Sequence, residues 1–195
     1  MNIWDADLFE RLSAYVASKH RTQFYPNGLQ LPYYLHLTQV CSRAVRAAVV
    51  DPSLDVNLVM ACALLHDVIE DCAPTEADKA EISQFIRQEC GETVLNGVLA
   101  LSKNDIFDVH GHKDKRAMME DSLTRITAQD KGVWVVKLAD RISNLQAPPP
   151  HWTREKKERY LEEAILIYDA LHTASPLLAK ELQDKISAYQ VYIEG

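Results

Sequence analysis

Apolar side chains recur along most of this chain with a helical period. In "DLFERLSAYVASKH" the residues Leu8, Leu12, Tyr15 and Val16 fall on one face, which predicts a first helix over 7–20. "YYLHLTQVCSRAVRAAVV" resumes the pattern over 33–50 and stops at Asp51-Pro52. Between them "RTQFYPNGLQLP" reads as a loop, punctuated by Pro26, Asn27-Gly28 and Pro32. "DVNLVMACALLHDVIED", residues 55–71, is apolar on nearly every side and predicts a central helix shielded by the others. Pro74 and Thr75 end it. Thr75, with Asp78 three residues on, has the form of a helix N-cap, and Gly91 supplies the stop for the helix that follows. A short helix in "ETVLNGVLALSK" and a polar connection, "NDIFDVHGHKD", come next. Two further helices, "DKRAMMEDSLTRITAQD" and "KGVWVVKLADRISNL", lead to the rigid turn "QAPPP". "REKKERYLEEAILIYDALH" and "PLLAKELQDKISAYQVY" close the chain as amphipathic helices. With only six glycines and no internal repeat, the expectation is an all-α bundle of about eight to ten helices, one domain over residues 1–195.

Composition narrows the function. A chain that is 47% hydrophobic and 25% charged matches an ordinary soluble globule, and 195 residues suit one core. A formal net charge of -7 and a pI near 5.5 argue against a broad grip on nucleic acid or on an anionic membrane. An anionic small substrate would need a local source of positive charge, such as a metal ion. "MNIWDADLFERL" is acidic and amphipathic, unlike a secretory signal, and no apolar stretch is long enough to span a bilayer. Cys41, Cys62, Cys72 and Cys90 form no CxxC pair and read as reduced thiols of a cytoplasmic protein. Oligomeric state is left open, a homo-oligomer included.

The chemistry concentrates in "ALLHDVIED". His66 and Asp67 sit in the most apolar segment of the chain, where an isolated charge is costly and a partner is required. A divalent cation satisfies imidazole nitrogen and carboxylate oxygen together. Two further candidates lie in comparably apolar settings: His36 in "PYYLHLTQV" and Asp140 in "VVKLADRISNL". A lone His-Asp pair is most often an ion pair or a capped helix end, and a lone His36 a satisfied core histidine. Four such groups in apolar helices favour a metal site instead. Two imidazoles and two carboxylates suit Mn2+, Fe2+ or another first-row ion, with open positions left for water and a phosphoryl oxygen. Glu70 lies one turn after His66 and Asp71 one turn after Asp67, so both can look toward a metal-bound water. Carboxylates at a helix C-terminus oppose its dipole, which points to a proton-handling role for both.

His, His-Asp and Asp in that order resemble the HD-domain metal-dependent phosphohydrolases. "HDVIED", "KLADRISNL", "PYYLH" and the earlier "KHRTQ" together resemble, more narrowly, the alarmone hydrolases: the hydrolase domain of the bifunctional alarmone synthetase/hydrolases and its small stand-alone relatives. The resemblance runs from about Lys19 to the penultimate helix. It implies Mn2+-dependent removal of the 3′-pyrophosphate from guanosine tetra- or pentaphosphate. It implies metal ligation by His36, His66, Asp67 and Asp140. It places Glu70 and Asp71 at the attacking water and Asn144 on the nucleotide side. Asn144 falls one turn beyond Asp140 on the same face, although a helix-capping amide would read the same way. Lys137, one turn before Asp140, is expected to pair with a carboxylate.

The chain departs from that family at defined places. Tyr25 and Pro26 stand where relatives carry an Arg-Lys pair flanking guanine, and Tyr25 is the candidate to stack on a base instead. Leu37 follows the first histidine where proline is usual, and "LQA" follows Asn144 where an arginine is common. A different nucleotide or dinucleotide phosphatase is therefore the second reading. A non-catalytic helical regulatory domain is the third, disfavoured by the full ligand set. His110 and His112, separated by a glycine in a polar loop, read as solvated. Lys113, Lys115 and Arg116 make the neighbouring segment the most basic, with Arg116 the candidate for distal phosphates.

Overall fold

The computed structural model describes residues 4–25 and 30–194, and Pro26, Asn27 and Gly28 of the predicted loop lie outside them. Helix starts follow from side chains that satisfy the first free N–H groups. Asp5 accepts from Leu8 N to open α1 (Ala6–Lys19). Asp55 accepts from Asn57 N and Leu58 N to open α3 (Val56–Leu65). Thr75 and Asp78 form the expected reciprocal capping box at the start of α5 (Glu76–Cys90). Gly91, at φ 85°, turns the chain into α6 (Glu92–Leu101) with the left-handed backbone that favours glycine. Asp114 and Asp130 open α7 (Lys115–Thr127) and α8 (Lys131–Asn144) in the same way as Asp55. Thr153 opens α9 (Arg154–Leu171), and Ser175 with Pro176 opens α10 (Pro176–Tyr189), which a short α11 (Val191–Glu194) follows. The described residues form no strand. Isolated bridges, Phe24 with Pro32 and Phe107 with Lys113, tie off the loops after α1 and α6.

The predicted central helix is central but not continuous. α3 is buried from Leu58 to Leu65, packed by α1, α2 (Tyr34–Val50), α6 and α8. It ends at Leu65, and a separate five-residue helix, α4 (Val68–Cys72), begins after Asp67. The cause is local. His66 Nδ1 lies 2.8 Å from the carbonyl of Ala63, the oxygen that an uninterrupted helix would offer to the N–H of Asp67. Asp67 occupies the N-cap position of α4 without using its side chain as a cap, because the carboxylate is committed elsewhere. Glu70 and Asp71 therefore stand in the first turn of α4, a helix so short that Asp71 is also its penultimate residue. The expected conflict with a helix dipole is eased for Glu70, which the break places near the N-terminus of α4, while Asp71 stands one residue from its C-terminal end.

α8 is the second interior helix, buried along most of its length and packed on α2, α3 and α9. Gly97 lets α6 approach both interior helices, since a Cβ there would stand 2.9 Å from Cys62 Sγ and 2.9 Å from Val133 Cγ2. Gly97→Ala is expected to cost about 1–3 kcal/mol of stability by overpacking. A chemical-denaturation midpoint equal to that of the parent would reject this close packing. All four cysteines are free, and burial pushes the Cys41 thiol up to about 12. No helix among the described residues is long and apolar enough to cross a membrane.

Candidate metal centre

Two helices and the break between α3 and α4 deliver the predicted ligands to one interior point. His36 enters from the first turn of α2, His66 and Asp67 from the break, and Asp140 from the middle of α8. His66 Nε2 lies 2.9 Å from Asp67 Oδ2 and 3.7 Å from Asp140 Oδ1. His36 Nε2 lies 3.6 Å and 3.5 Å from the same two oxygens. Donor atoms of His36, His66 and Asp67 all fall within 4.8 Å of one another. Neighbouring ligands about 2.1 Å from one octahedral ion would be separated by about 3 Å, so the spacing suits a common cation.

The hydrogen-bond inventory fits the same assignment. His66 and His36 are 3% and 1% exposed, and each Nε2 faces only the carboxylates of Asp67 and Asp140 without making a well-formed hydrogen bond. Such buried, unpaired nitrogens are costly unless something else occupies their lone pairs. The Ala63 carbonyl places the His66 proton on Nδ1 and leaves Nε2 free to coordinate, the usual support for a metal-bound imidazole. Burial works against a charged His66, but the Asp67 and Asp140 carboxylates outweigh it and push its pKa up to about 9. Burial likewise opposes ionisation of Asp140, yet Lys137 and the two histidines hold it well below the usual carboxylate range. Asp67 is shifted the same way, with His66 overcoming the effect of burial. The cluster therefore draws positive charge, and the residues present fit a divalent ion.

The surrounding shell contains one residue that the sequence did not single out, beside two that it did. Tyr33 donates its hydroxyl to Asp67 Oδ2 at 2.6 Å, and burial together with the Asp67 charge keeps that hydroxyl protonated. Its signal was present in "PYYLH", one turn before the first histidine. Lys137, 5% exposed, donates to Asp140 Oδ2 at 3.1 Å, the expected pair. The Asn144 side-chain amide donates to Asp140 Oδ1 and does not cap a helix-end carbonyl.

The other expected site residues are placed as follows. Glu70 Oε2 accepts from the backbone N–H of Lys103 at 3.0 Å, so the carboxylate anchors the loop after α6. Asp71 Oδ2 accepts from Gln23 Nε2 at 2.8 Å, while burial and the nearby Asp67 charge raise the Asp71 pKa. Tyr25 directs its hydroxyl toward the Ser143 carbonyl at 3.5 Å, and its ring centroid lies 6.0 Å from that of His36. Tyr25 and Asn144 line a cavity of about 730 Å³ with Trp152, Lys156 and Tyr160. Trp152 and Tyr160 meet edge to face at 5.1 Å, and Lys156 Nζ lies 4.2 Å from the Trp152 ring centroid. Arg116 is not brought into this group; it is exposed on the first turn of α7 and paired with Glu120 at 2.9 Å. Lys113 is paired with Asp105, and His110 and His112 stand in solvent.

Among the described residues an all-helical core surrounds an interior histidine–aspartate cluster that could hold a divalent cation beside an aromatic cleft. A family model described as HD domain matches residues 14–177, and the chain belongs to the HD-domain family. It is similar to a GTP pyrophosphokinase rsh of Brucella melitensis, 33% identical over 167 residues that cover 84% of this chain and 20% of that protein. It is also similar to the guanosine-3′,5′-bis(diphosphate) 3′-pyrophosphohydrolase MESH1 of Drosophila melanogaster, 27% identical over 176 residues covering 87% of this chain and 88% of that one. The chain thus spans about a fifth of the length of the bacterial relative. A solved structure of a metazoan ortholog of SpoT, described as hydrolysing ppGpp, superposes with a TM-score of 0.74 at 22% identity, over 98% of this chain and 99% of that one. That likeness carries the fold.

Proposed function

We propose that the protein is a metal-dependent phosphohydrolase that removes the 3′-pyrophosphate of guanosine tetra- or pentaphosphate. The cluster of His36, His66, Asp67 and Asp140 carries the reading, because its buried imidazole nitrogens face two carboxylates without making a hydrogen bond, an arrangement that a cation satisfies. The substrate assignment draws support from similarity to the fly pyrophosphohydrolase along nearly the whole of both chains. These four residues would hold the ion, Mn2+ or another first-row metal such as Fe2+. Bound there, it supplies Lewis-acid polarisation of a phosphoryl oxygen and of water.

The chain's own groups do the rest in this reading. Glu70 and Asp71 accept the proton of the attacking water. The raised pKa of Asp71 brings it closer to the operating range of a general base. Asn144 reaches the nucleotide from the rim of the cluster, and its bond to Asp140 couples that contact to a ligand. Tyr25 and the aromatic wall of the cleft take the nucleoside; about 730 Å³ is ample for one. Residues 1–195 act as one domain.

Arg116 holds the distal phosphates in this scheme, which requires it to exchange Glu120 for the substrate. Arg116→Ala is expected to raise KM for a polyphosphorylated nucleotide more than it lowers kcat, and an unchanged KM would remove the residue from the site. A second reading, a nucleotide or dinucleotide phosphatase with another base preference, is favoured by Tyr25 in place of the relatives' arginine. A phosphate- and pyrophosphate-release screen with the Mn2+-loaded protein discriminates the two. Pyrophosphate from guanosine tetraphosphate alone supports the first, phosphate from other nucleotides the second. No release from any compound at full metal occupancy rejects both.

A further inference from the structure

Gln23 joins several elements at the rim of the metal cluster. Its backbone N–H donates to the His20 carbonyl at 3.0 Å, and its own carbonyl accepts from Tyr33 N at 3.0 Å. Tyr33 is the residue whose hydroxyl reaches Asp67. The side chain of Gln23 faces two partners. Nε2 donates to Asp71 Oδ2 at 2.8 Å, and Oε1 lies 2.6 Å from His20 Nδ1.

The orientation of that amide is dictated by its neighbours. With Nε2 given to Asp71, its oxygen can only accept, which favours the His20 tautomer that carries its proton on Nδ1, where the Cys72 Sγ also lies 3.6 Å away. A flipped amide would set the oxygen against the Asp71 carboxylate, acceptor against acceptor. His20 is 3% exposed and stacks on the Tyr33 ring at 5.2 Å, which fixes the imidazole in turn. Asp71, by contrast, stands on the exposed face of a five-residue helix that packs on α1 and α5. An untethered carboxylate there would sample several rotamers.

We propose that Gln23 is a positioning residue: its amide, aimed by the buried His20, holds the Asp71 carboxylate in one orientation at the edge of the metal cluster. The proposal rests on the reading of Asp71 as a proton acceptor. It adds a relay from the end of α1, through His20 and Gln23, to α4, and Gln23 itself touches neither ion nor substrate.

The test uses the intact, Mn2+-loaded chain with Gln23→Met, Gln23→Glu and Asp71→Asn, singly and combined. Gln23→Met keeps the side-chain length and removes the donor. It is expected to lower kcat by about tenfold or more, with KM and the calorimetric Mn2+ affinity each within about twofold of the parent. Gln23→Glu keeps the shape but sets an anion against Asp71, and is expected to lose at least as much. In the Asp71→Asn background Gln23→Met should change the rate by less than about twofold, because the group it positions is already disabled. Parent-like turnover in Gln23→Glu would overturn the proposal, because it would assign Gln23 to packing. Losses that simply multiply in the combined variant would overturn it as well, and so would a large loss of Mn2+ affinity. An Asp71→Asn protein at full rate, or a parent with no hydrolase activity, would instead remove the functional reading on which the proposal stands.

Discussion

Asp140→Ala is expected to abolish both metal retention and turnover. Asp140 approaches both imidazoles, 3.5 Å from His36 Nε2 and 3.7 Å from His66 Nε2, from a helix that contributes no other ligand. Its loss leaves three donors on α2 and the α3–α4 break, with no group to close the set from α8. The drop in Mn2+ affinity should exceed the roughly 10- to 100-fold that follows removal of an outer partner. A complication is built into the site: Lys137 is buried and bonded to the same carboxylate. Removing Asp140 strands that ammonium, and a broken buried pair costs about 3–5 kcal/mol of stability. The double variant Lys137→Met/Asp140→Ala separates the two effects. It should recover the unfolding midpoint without recovering metal, measured as metal per protein after gel filtration. Metal content at the parent level in the double variant would show that Asp140 is no ligand, and the proposed function would lose its central observation.

Glu70→Gln is the second decisive variant, with the opposite signature. Metal should stay bound while kcat falls by roughly two to four orders of magnitude, the usual worth of a general base. Glutamine keeps an oxygen for the Lys103 N–H that Glu70 now holds at 3.0 Å, so the loop after α6 keeps that anchor and loses only the longer, 4.0 Å ion pair with Lys103 Nζ. Glu70→Ala would lose that anchor too and confuse loop position with proton transfer. Full activity of the glutamine variant at full metal occupancy would assign Glu70 to the loop alone. The division of labour between the two acids can be read from the same experiment. Asp71 is held by a side chain and Glu70 by a backbone N–H, so the two are not interchangeable.

Much of this site is written in the order of the residues, for an energetic reason. A charge placed among Leu64, Leu65 and Val68, or among Val136, Leu138 and Ala139, has to find a partner, because burying it alone costs several kcal/mol. His36, His66, Asp67 and Asp140 were each conspicuous for that reason, and the structure brings all four together. The helical period and the Thr75–Asp78 capping box were equally plain, since both depend on residues within one turn of each other. What folding alone decided depends on contacts that leave no periodic trace. The α3–α4 break arises because the His66 ring takes the Ala63 carbonyl, and an apolar pattern cannot show which way an imidazole turns. Tyr33 to Asp67, Gln23 to Asp71 and Lys103 to Glu70 join residues 34, 48 and 33 positions apart. Arg116 combines both: the basic run is plain along the chain, but its ion pair with Glu120 is set only on the folded surface. Burial cost is a property of a residue and its near neighbours, and so it is legible in one dimension; the direction in which a polar side chain finds its partner is set only when the helices pack.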